Sequence, residues 1–164
     1  MSKTCYLGGP MRGLPFFNFP AFDEAAYKLR RDGWTVFSPA EKDRDHLDIS
    51  QCPNGSEEEL KRQGFEVGKA LTWDFAHILD SHAVIFLPGW ITSTGCHWEM
   101  AVAYATNKDI WEYAGDGRVP IPGGQWLESV MLFRLDPPAV VKNPTKCGLR
   151  YSPERTISGS PPAP

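Results

Sequence analysis

His82-Ala83-Val84-Ile85-Phe86-Leu87, closed by Pro88-Gly89, is the stretch that decides the fold. It is strand-sized, and its unbroken apolar run is what the middle of a parallel sheet requires when helices cover both faces. Upstream, Leu71-Thr72-Trp73-Asp74-Phe75-Ala76-His77-Ile78-Leu79 reads as the end of a long helix or broken helix pair. That helix starts at Ser56-Glu57-Glu58-Glu59, a capping box in which Ser56 and Glu59 satisfy each other's helix-start amides. Before it, Thr4–Leu7 is predicted as the first strand, ended by Gly8-Gly9-Pro10. Asn18 is predicted to cap a helix with Phe22, Ala25, Ala26 and Leu29 at i, i+3, i+4 and i+7, closed by Gly33. Trp34–Phe37 is predicted as the second strand, and 41–55 as a polar, acidic insert whose position makes it the expected specificity element. Downstream, Gly95 opens a helix predicted to bury Trp98, Ala101, Val102 and Ala105. Asp109–Tyr113 reads as a fourth strand, 117–124 as a loop or hairpin, Gln125–Leu132 as a short helix and Ala139–Val141 as an edge strand. Strands alternating with helices predict an α/β chain: one doubly wound domain, flavodoxin- or Rossmann-like, with a mostly parallel sheet of about five strands and helices on both faces. The domain is expected to span 1–150, and 151–164, rich in Pro, Ser and Gly, to be a flexible tail.

A length of 164 residues fits a single domain of roughly 150 residues. Seventeen Lys and Arg against twenty Asp and Glu leave a net charge of −3, which offers a nucleic acid polymer no basic surface. The four cysteines, Cys5, Cys52, Cys96 and Cys147, have no C-x-x-C spacing, and no charged, apolar leader is recognisable. A reducing compartment, the cytoplasm, is therefore expected. No apolar run approaches the roughly 20 residues of a membrane span, so no membrane partner is expected.

In sheets of this kind ligands sit at the carboxyl ends of the strands, near the point where strand order reverses. Two loops fall there. In Gly8-Gly9-Pro10-Met11-Arg12-Gly13, small residues allow close backbone approach, and Arg12 can clamp a phosphate or carboxylate; a tight turn with a solvent-facing arginine explains the same residues. The run matches neither G-x-G-x-x-G nor the phosphate loop G-x-x-x-x-G-K-[ST]. In Pro88–Glu99, Ser93, Thr94 and Gly95 stand where a helix begins and can greet an anion, cap the helix, or both. Glu99, one turn inside, is either a dipole-complementing surface charge or a carboxylate turned to the crevice. Asp74, set among aromatic and aliphatic residues, lies twenty-five positions before Glu99, with a strand between, so both can reach one rim. Two carboxylates at one site are the equipment for cleaving glycosidic bonds. His97-Trp98-Glu99 spells H-x-E, but no P-C-x-x-C follows, so a zinc deaminase is rejected. His46, His77 and His82 have no partners at ligand spacing, and no metal is expected. Phe16, Phe17, Phe19 and Trp90 flank the loops, as core, as lid, or as platforms for a planar base.

Taken together, Tyr6-Leu7-Gly8-Gly9-Pro10-Met11-Arg12, the Asp74 helix leading into Ala83–Gly89, and Ser93-x-Gly95-x-His97-x-Glu99 resemble the nucleoside 2-deoxyribosyltransferase superfamily. The resemblance covers Tyr6 to Tyr113 and is nearest to the nucleoside 5′-monophosphate N-glycosidases of the CMP and hydroxymethyl-CMP hydrolase type. It implies that Glu99 attacks the anomeric carbon and that Asp74 positions the sugar and supports proton transfer to the departing base. It implies a 5′-phosphate site at Arg12, Ser93 and the amides around Gly95, and places Tyr6, Gly8, Gly9, Pro10, Met11 and His97 at the substrate. A nucleotide, and not a free nucleoside, is favoured by Arg12. The implied reaction hydrolyses a (deoxy)nucleoside 5′-monophosphate, a pyrimidine nucleotide such as CMP or a 5-substituted CMP, to free base and (deoxy)ribose 5-phosphate. No cofactor is required, and a homodimer is expected because relatives complete their pockets across an interface. Met11 stands where the hydroxymethyl-CMP enzymes carry an aromatic residue, which leaves the base open. Base exchange, a non-catalytic nucleotide sensor and an interaction protein are the competing readings.

Overall fold

The computed structural model describes residues 3–115 and 117–121. Five strands form one sheet: β1 (Thr4–Gly8), β2 (Thr35–Phe37), β3 (Ala83–Phe86), β4 (Asp109–Tyr113) and β5 (Arg118–Pro120). Their spatial order is β2-β1-β3-β4-β5, with every pairing parallel except β4 with β5. The helices are α1 (Phe19–Arg31), α2 (Pro39–Asp43), α3 (Glu57–Arg62), α4 (Val67–Asp80) and α5 (Thr94–Ala105). The α/β reading, with helices on both faces of a mostly parallel sheet, is the observed architecture. The helix over Gln125–Leu132, the strand over Ala139–Val141, the domain end at 150 and the tail 151–164 lie outside the described residues. Among the described residues no helix is long and apolar enough to cross a membrane.

Alternation along the central strands separates two cores. Cys5 and Leu7 of β1 with Ala83 and Ile85 of β3 face α1, which buries Phe22, Ala25, Ala26 and Leu29 against them. Tyr6, Val84 and Phe86 face the other way, onto Ile78 of α4 and Cys96, Met100 and Ala103 of α5. Each large aliphatic or aromatic side chain fully withdrawn from water stabilises the fold by about 1.5–3 kcal/mol, so these two layers hold the sheet in register.

Local rules explain several boundaries. Gly33 follows α1 at a φ of 84°, a conformation that glycine adopts without a Cβ penalty. The capping box forms as expected: Glu59 N–H donates to Ser56 Oγ at 3.3 Å, and Ser56 N–H donates to Glu59 Oε2 at 2.8 Å. The predicted long helix is a pair, broken between α3 and α4 where Gly64 turns at a φ of 67°.

Three expectations need correction. Asn18 does not cap α1 with its side chain: it sits at a φ of 61°, and its Nδ2 donates instead to the Pro10 carbonyl at 3.0 Å. The stretch 41–55 is not simply polar: it includes the end of α2 and a 3-10 turn at Ile49–Gln51, and it buries Leu47 and Cys52. Of the apolar face assigned to α5, Val102 packs partly buried against the second core and the other three residues face outward. Trp98 is 40 % exposed and Ala101 and Ala105 are exposed, while Cys96, Glu99, Met100 and Ala103 point inward. The inward stripe contains a carboxylate, so a count of apolar residues selects the wrong side of the helix.

Candidate active site

A cavity of about 560 Å³ opens at the carboxyl ends of β1 and β3, the point where the chain reverses its order across the sheet. Gly9–Arg12 line it after β1, and Pro88, Gly89 and the start of α5 line it after β3. Asp74, one turn and a half before the end of α4, and Glu99 of α5 are both in its wall. They are 8 % and 7 % exposed, unusual burial for carboxylates.

Glu99 is held on one side only. Its Oε1 accepts a 2.8 Å hydrogen bond from the Tyr6 hydroxyl, which β1 delivers from within the second core. No nitrogen or oxygen donor among the described residues reaches its Oε2. Gly8 is what makes this placement possible, because a Cβ there would lie 2.7 Å from Glu99 Oε2 and 2.7 Å from the Phe86 ring. The strand must end in glycine for the carboxylate to pass over it.

Electrostatics follow from this burial. Desolvation first, then the negative charge of Asp74, raise Glu99 to about 8, against the opposing effect of the Tyr6 hydroxyl and the Cys96 thiol. Desolvation raises Asp74 to about 6, with the Tyr6 hydroxyl and His77 pulling the other way. Tyr6 itself is pushed well above its ordinary value by burial and by the two carboxylates, so it remains a donor. Between about pH 6 and 8 the two carboxyls together hold one proton. A site in that state has one group able to attack or to stabilise positive charge and another able to give a proton.

Of the residues expected at the substrate, Gly9, Pro10, Met11, Arg12, Ser93 and Gly95 line the cavity together with Asp74 and Glu99. Three do not. Tyr6 is fully buried behind Glu99 and acts on it from there, and Gly8 is the floor under that carboxylate. His97 is turned away, since two helical steps of about 100° carry it to the other side of α5 from Glu99; its Nε2 meets the Ile91 carbonyl at 2.8 Å. Ser93 is the helix cap, accepting from Cys96 N–H at 3.4 Å, and it also lines the cavity. Arg12 is more than half exposed, and its 3.8 Å pairing with Glu57 is a weak surface contact that an incoming anion can displace.

Sequence reasoning reached the opposite wall at Phe17 and Phe19, read as core, lid or base platforms, and missed its other residues. That wall comes from Leu14, Phe17 and Phe19 before and within α1, and from α2, α3 and α4, including Leu60, Phe65 and Leu71. Asp43 at the end of α2 falls within the 41–55 insert expected to set specificity but is not singled out in it by the sequence; it lines the cavity and is raised to about 7 by burial and by Asp74, against Lys42. Among the described residues no group of three or more His, Cys, Asp or Glu side chains is arranged to hold a metal ion.

Residues 3–112 match the family described as a domain of unknown function, DUF4406. The chain belongs to the DUF4406 family. The matched span of this DUF4406 member begins in front of β1 and ends within β4, so it includes Tyr6, Gly8, Asp74 and Glu99. A search of curated proteins finds no match. Among solved structures the chain is similar to a 2-deoxyribosyltransferase from the psychrotolerant bacterium Bacillus psychrosaccharolyticus, with 23 % sequence identity, 77 % of this chain and 82 % of that chain covered, and a TM-score of 0.48.

Proposed function

We propose that this protein cleaves the N-glycosidic bond of a nucleoside 5′-monophosphate, releasing the base and (deoxy)ribose 5-phosphate. The observation that carries the reading is the state of Glu99: buried, fixed through Oε1 by Tyr6, with Oε2 lying over Gly8 and Asp74 in the same cavity wall. A protein that only binds a nucleotide has no use for two desolvated carboxylates. As the bond from C1′ to the base nitrogen breaks, positive charge grows on the sugar, and an ionised carboxylate beside C1′ stabilises that state more than the ground state. Glu99 supplies this carboxylate and forms the glycosyl ester. In the free protein the higher value of Glu99 leaves the shared proton on it, so on substrate binding that proton passes to Asp74, which orients the sugar, and Glu99 is freed as the ionised nucleophile. Arg12, Ser93 and the backbone N–H groups at the start of α5 receive the phosphate. Water then attacks C1′ and frees Glu99.

Base exchange is a second reading, favoured by the apolar wall from Leu14 to Leu71, which would keep water from the ester while an acceptor base enters. We also propose a homodimer seated on the outer face of α5, because Trp98 lines the cavity and is 40 % exposed, so that a second copy there would extend the cavity wall. Light scattering giving a monomer mass at micromolar concentration rejects the dimer.

The reaction is tested by incubating the protein with ribo- and deoxyribonucleoside 5′-monophosphates and following free base by mass spectrometry, with and without an acceptor base. Glu99→Gln is expected to lower the rate by roughly 10⁴-fold. Release from the hydrolysis reaction selects the N-glycosidase, and new nucleotide only with acceptor selects exchange. No release in either arm rejects both.

A further inference from the structure

The charged run Glu41-Lys42-Asp43-Arg44-Asp45 opens the insert expected to set specificity, and the structure sorts its members. Glu41 receives both Nη groups of Arg30, at 2.6 and 2.7 Å. Lys42 pairs with Asp45 at 2.9 Å, and Arg44 binds both carboxylate oxygens of Asp23. Asp43 alone of the five makes no side-chain hydrogen bond or ion pair among the described residues, and it faces the cavity. The outward pairs fasten α2 to α1, which fixes where Asp43 points. Cavity-lining residues between 39 and 71 are otherwise apolar, Pro39, Leu47, Leu60 and Phe65 among them, so Asp43 is the one ionisable group in that stretch of the lining. A flat, largely apolar ring fits such a wall, and a lone carboxyl on it can contact only the ring's polar edge.

Resting on the proposed cleavage reaction, we propose that Asp43 is a catalytic residue that reads an amino-substituted base and protonates it as it leaves. The edge it fits carries an exocyclic amine beside an unprotonated ring nitrogen. A protonated carboxyl matches that edge with two parallel hydrogen bonds, its O–H donating to the ring nitrogen and its C=O accepting from the amine. During cleavage Glu99 Oε2 forms its bond to C1′ while the bond from C1′ to the base breaks, and that bonding pair passes into the ring. The Asp43 proton moves to the ring nitrogen, so a neutral base departs and Asp43 is left ionised. A water molecule then attacks C1′, the Glu99 ester bond breaks toward Glu99, and the proton lost by water restores Asp43. A keto base gains less, because its carbonyl oxygens already spread the charge of the departing anion. Burial and the neighbouring Asp74 raise Asp43 to about 7, against the pull of Lys42, which places a proton donor near neutral pH.

The test compares wild type, Asp43→Asn and Glu99→Gln on matched amino- and keto-base nucleoside 5′-monophosphates, measuring kcat and KM for base release and the melting temperature. Asn keeps the shape and offers one donor and one acceptor, but gives up no proton. The expected result for Asp43→Asn is a loss in kcat of about 10²-fold or more on amino bases, with KM changed by less than about threefold and a smaller loss on keto bases. Its melting temperature should be no lower than that of wild type, which separates the loss from misfolding. Equal losses on both base classes, or no loss, with Glu99→Gln still inactive, overturn the role of Asp43 and leave the cleavage reaction standing. No release by wild type overturns both.

Discussion

The two walls of the cavity are built differently. The wall that carries Glu99 is rooted in the sheet: Tyr6 and Gly8 belong to β1, Phe86 to β3, and α5 packs over them through Cys96, Met100 and Ala103. The facing wall is assembled from short pieces, α2 of five residues, α3 of six, and the segment leading into α1. In that segment Phe16, Phe17 and Asn18 all lie at positive φ, between 50° and 61°, each at a cost of about 1–2 kcal/mol. The strain is held by Gly13 N–H to Gly55 O at 2.8 Å and Phe16 N–H to Cys52 O at 3.1 Å. Gly55 itself admits no side chain, since a Cβ would fall 2.1 Å from the Leu14 carbonyl oxygen. The lesson is a division of labour. The nucleophile is fixed by strand register and core packing, and the groups that meet the base, Asp43 among them, sit on locally held elements that can change at less cost to the fold.

Substitutions on the first wall should therefore break turnover on every base, and those on the second should alter affinity or, at Asp43, turnover on amino bases in particular. The largest effect after Glu99→Gln is expected for Gly8→Ala. Its methyl group has to displace either Glu99 Oε2 or the Phe86 ring, both 2.7 Å away and both in packed surroundings. Moving the carboxylate by about 1 Å should lower kcat roughly 10²-fold, and the overpacking should cost about 1–3 kcal/mol in denaturant unfolding. A Gly8→Ala variant with normal kcat would show that Glu99 is not held where cleavage needs it.

Arg12→Ala tests the second wall and should do less. Arg12 is exposed and its contact with Glu57 is worth little, so stability should hold within about 0.5 kcal/mol. If it receives the phosphate, KM for a nucleotide should rise by about tenfold with kcat nearly unchanged, and the matching unphosphorylated nucleoside should be unaffected. An equal effect on nucleotide and nucleoside would take the phosphate away from this loop.

The same contrast explains what could be read from the chain before its structure. The unbroken Ala83–Leu87 run, the Ser56–Glu59 capping box and the glycine after α1 rest on contacts within a few residues, and these expectations match the fold. Asp74 and Glu99 were found because topology alone brings them to one rim. The face of α5 was misread because its inward stripe includes Glu99, and hydrophobic periodicity assigns a carboxylate to water. Asp43 lies in the insert expected to set specificity but could not be singled out in it, for a related reason. Which of five consecutive charges is unpaired depends on Arg30 and Asp23 of α1, partners that no local pattern names. The left-handed turn at Phe16–Asn18 opposes the preference of its own residues and exists only because Cys52 and Gly55 hold it.

The smallest expected effect is on stability, and its sign separates the two kinds of charge. Glu99, Asp74 and Asp43 are raised from 4.5, 3.8 and 3.8 to about 8, 6 and 7. Over that range the folded chain holds more protons than the unfolded chain. Their contribution is therefore complete below the unfolded values and is lost as pH rises through the folded ones. Carboxylates lowered by partners work in the opposite sense. Glu59, held by the Ser56 and Asn54 backbone N–H groups, and Asp45, held by Lys42, lose their contribution as pH falls below their ordinary values near 4. Of the groups shifted from their ordinary values, the cavity carboxyls are the ones that titrate between pH 5 and 8, and their share of the melting temperature should fall across that interval. Glu99→Gln removes the group whose titration reaches highest, so its curve should be flatter and should lie above wild type at pH 8. A wild-type melting temperature that rises from pH 5 to 8 would mean that the cavity carboxylates are stabilised as anions in the free protein. The one-proton pair that cleavage draws on would then not exist there.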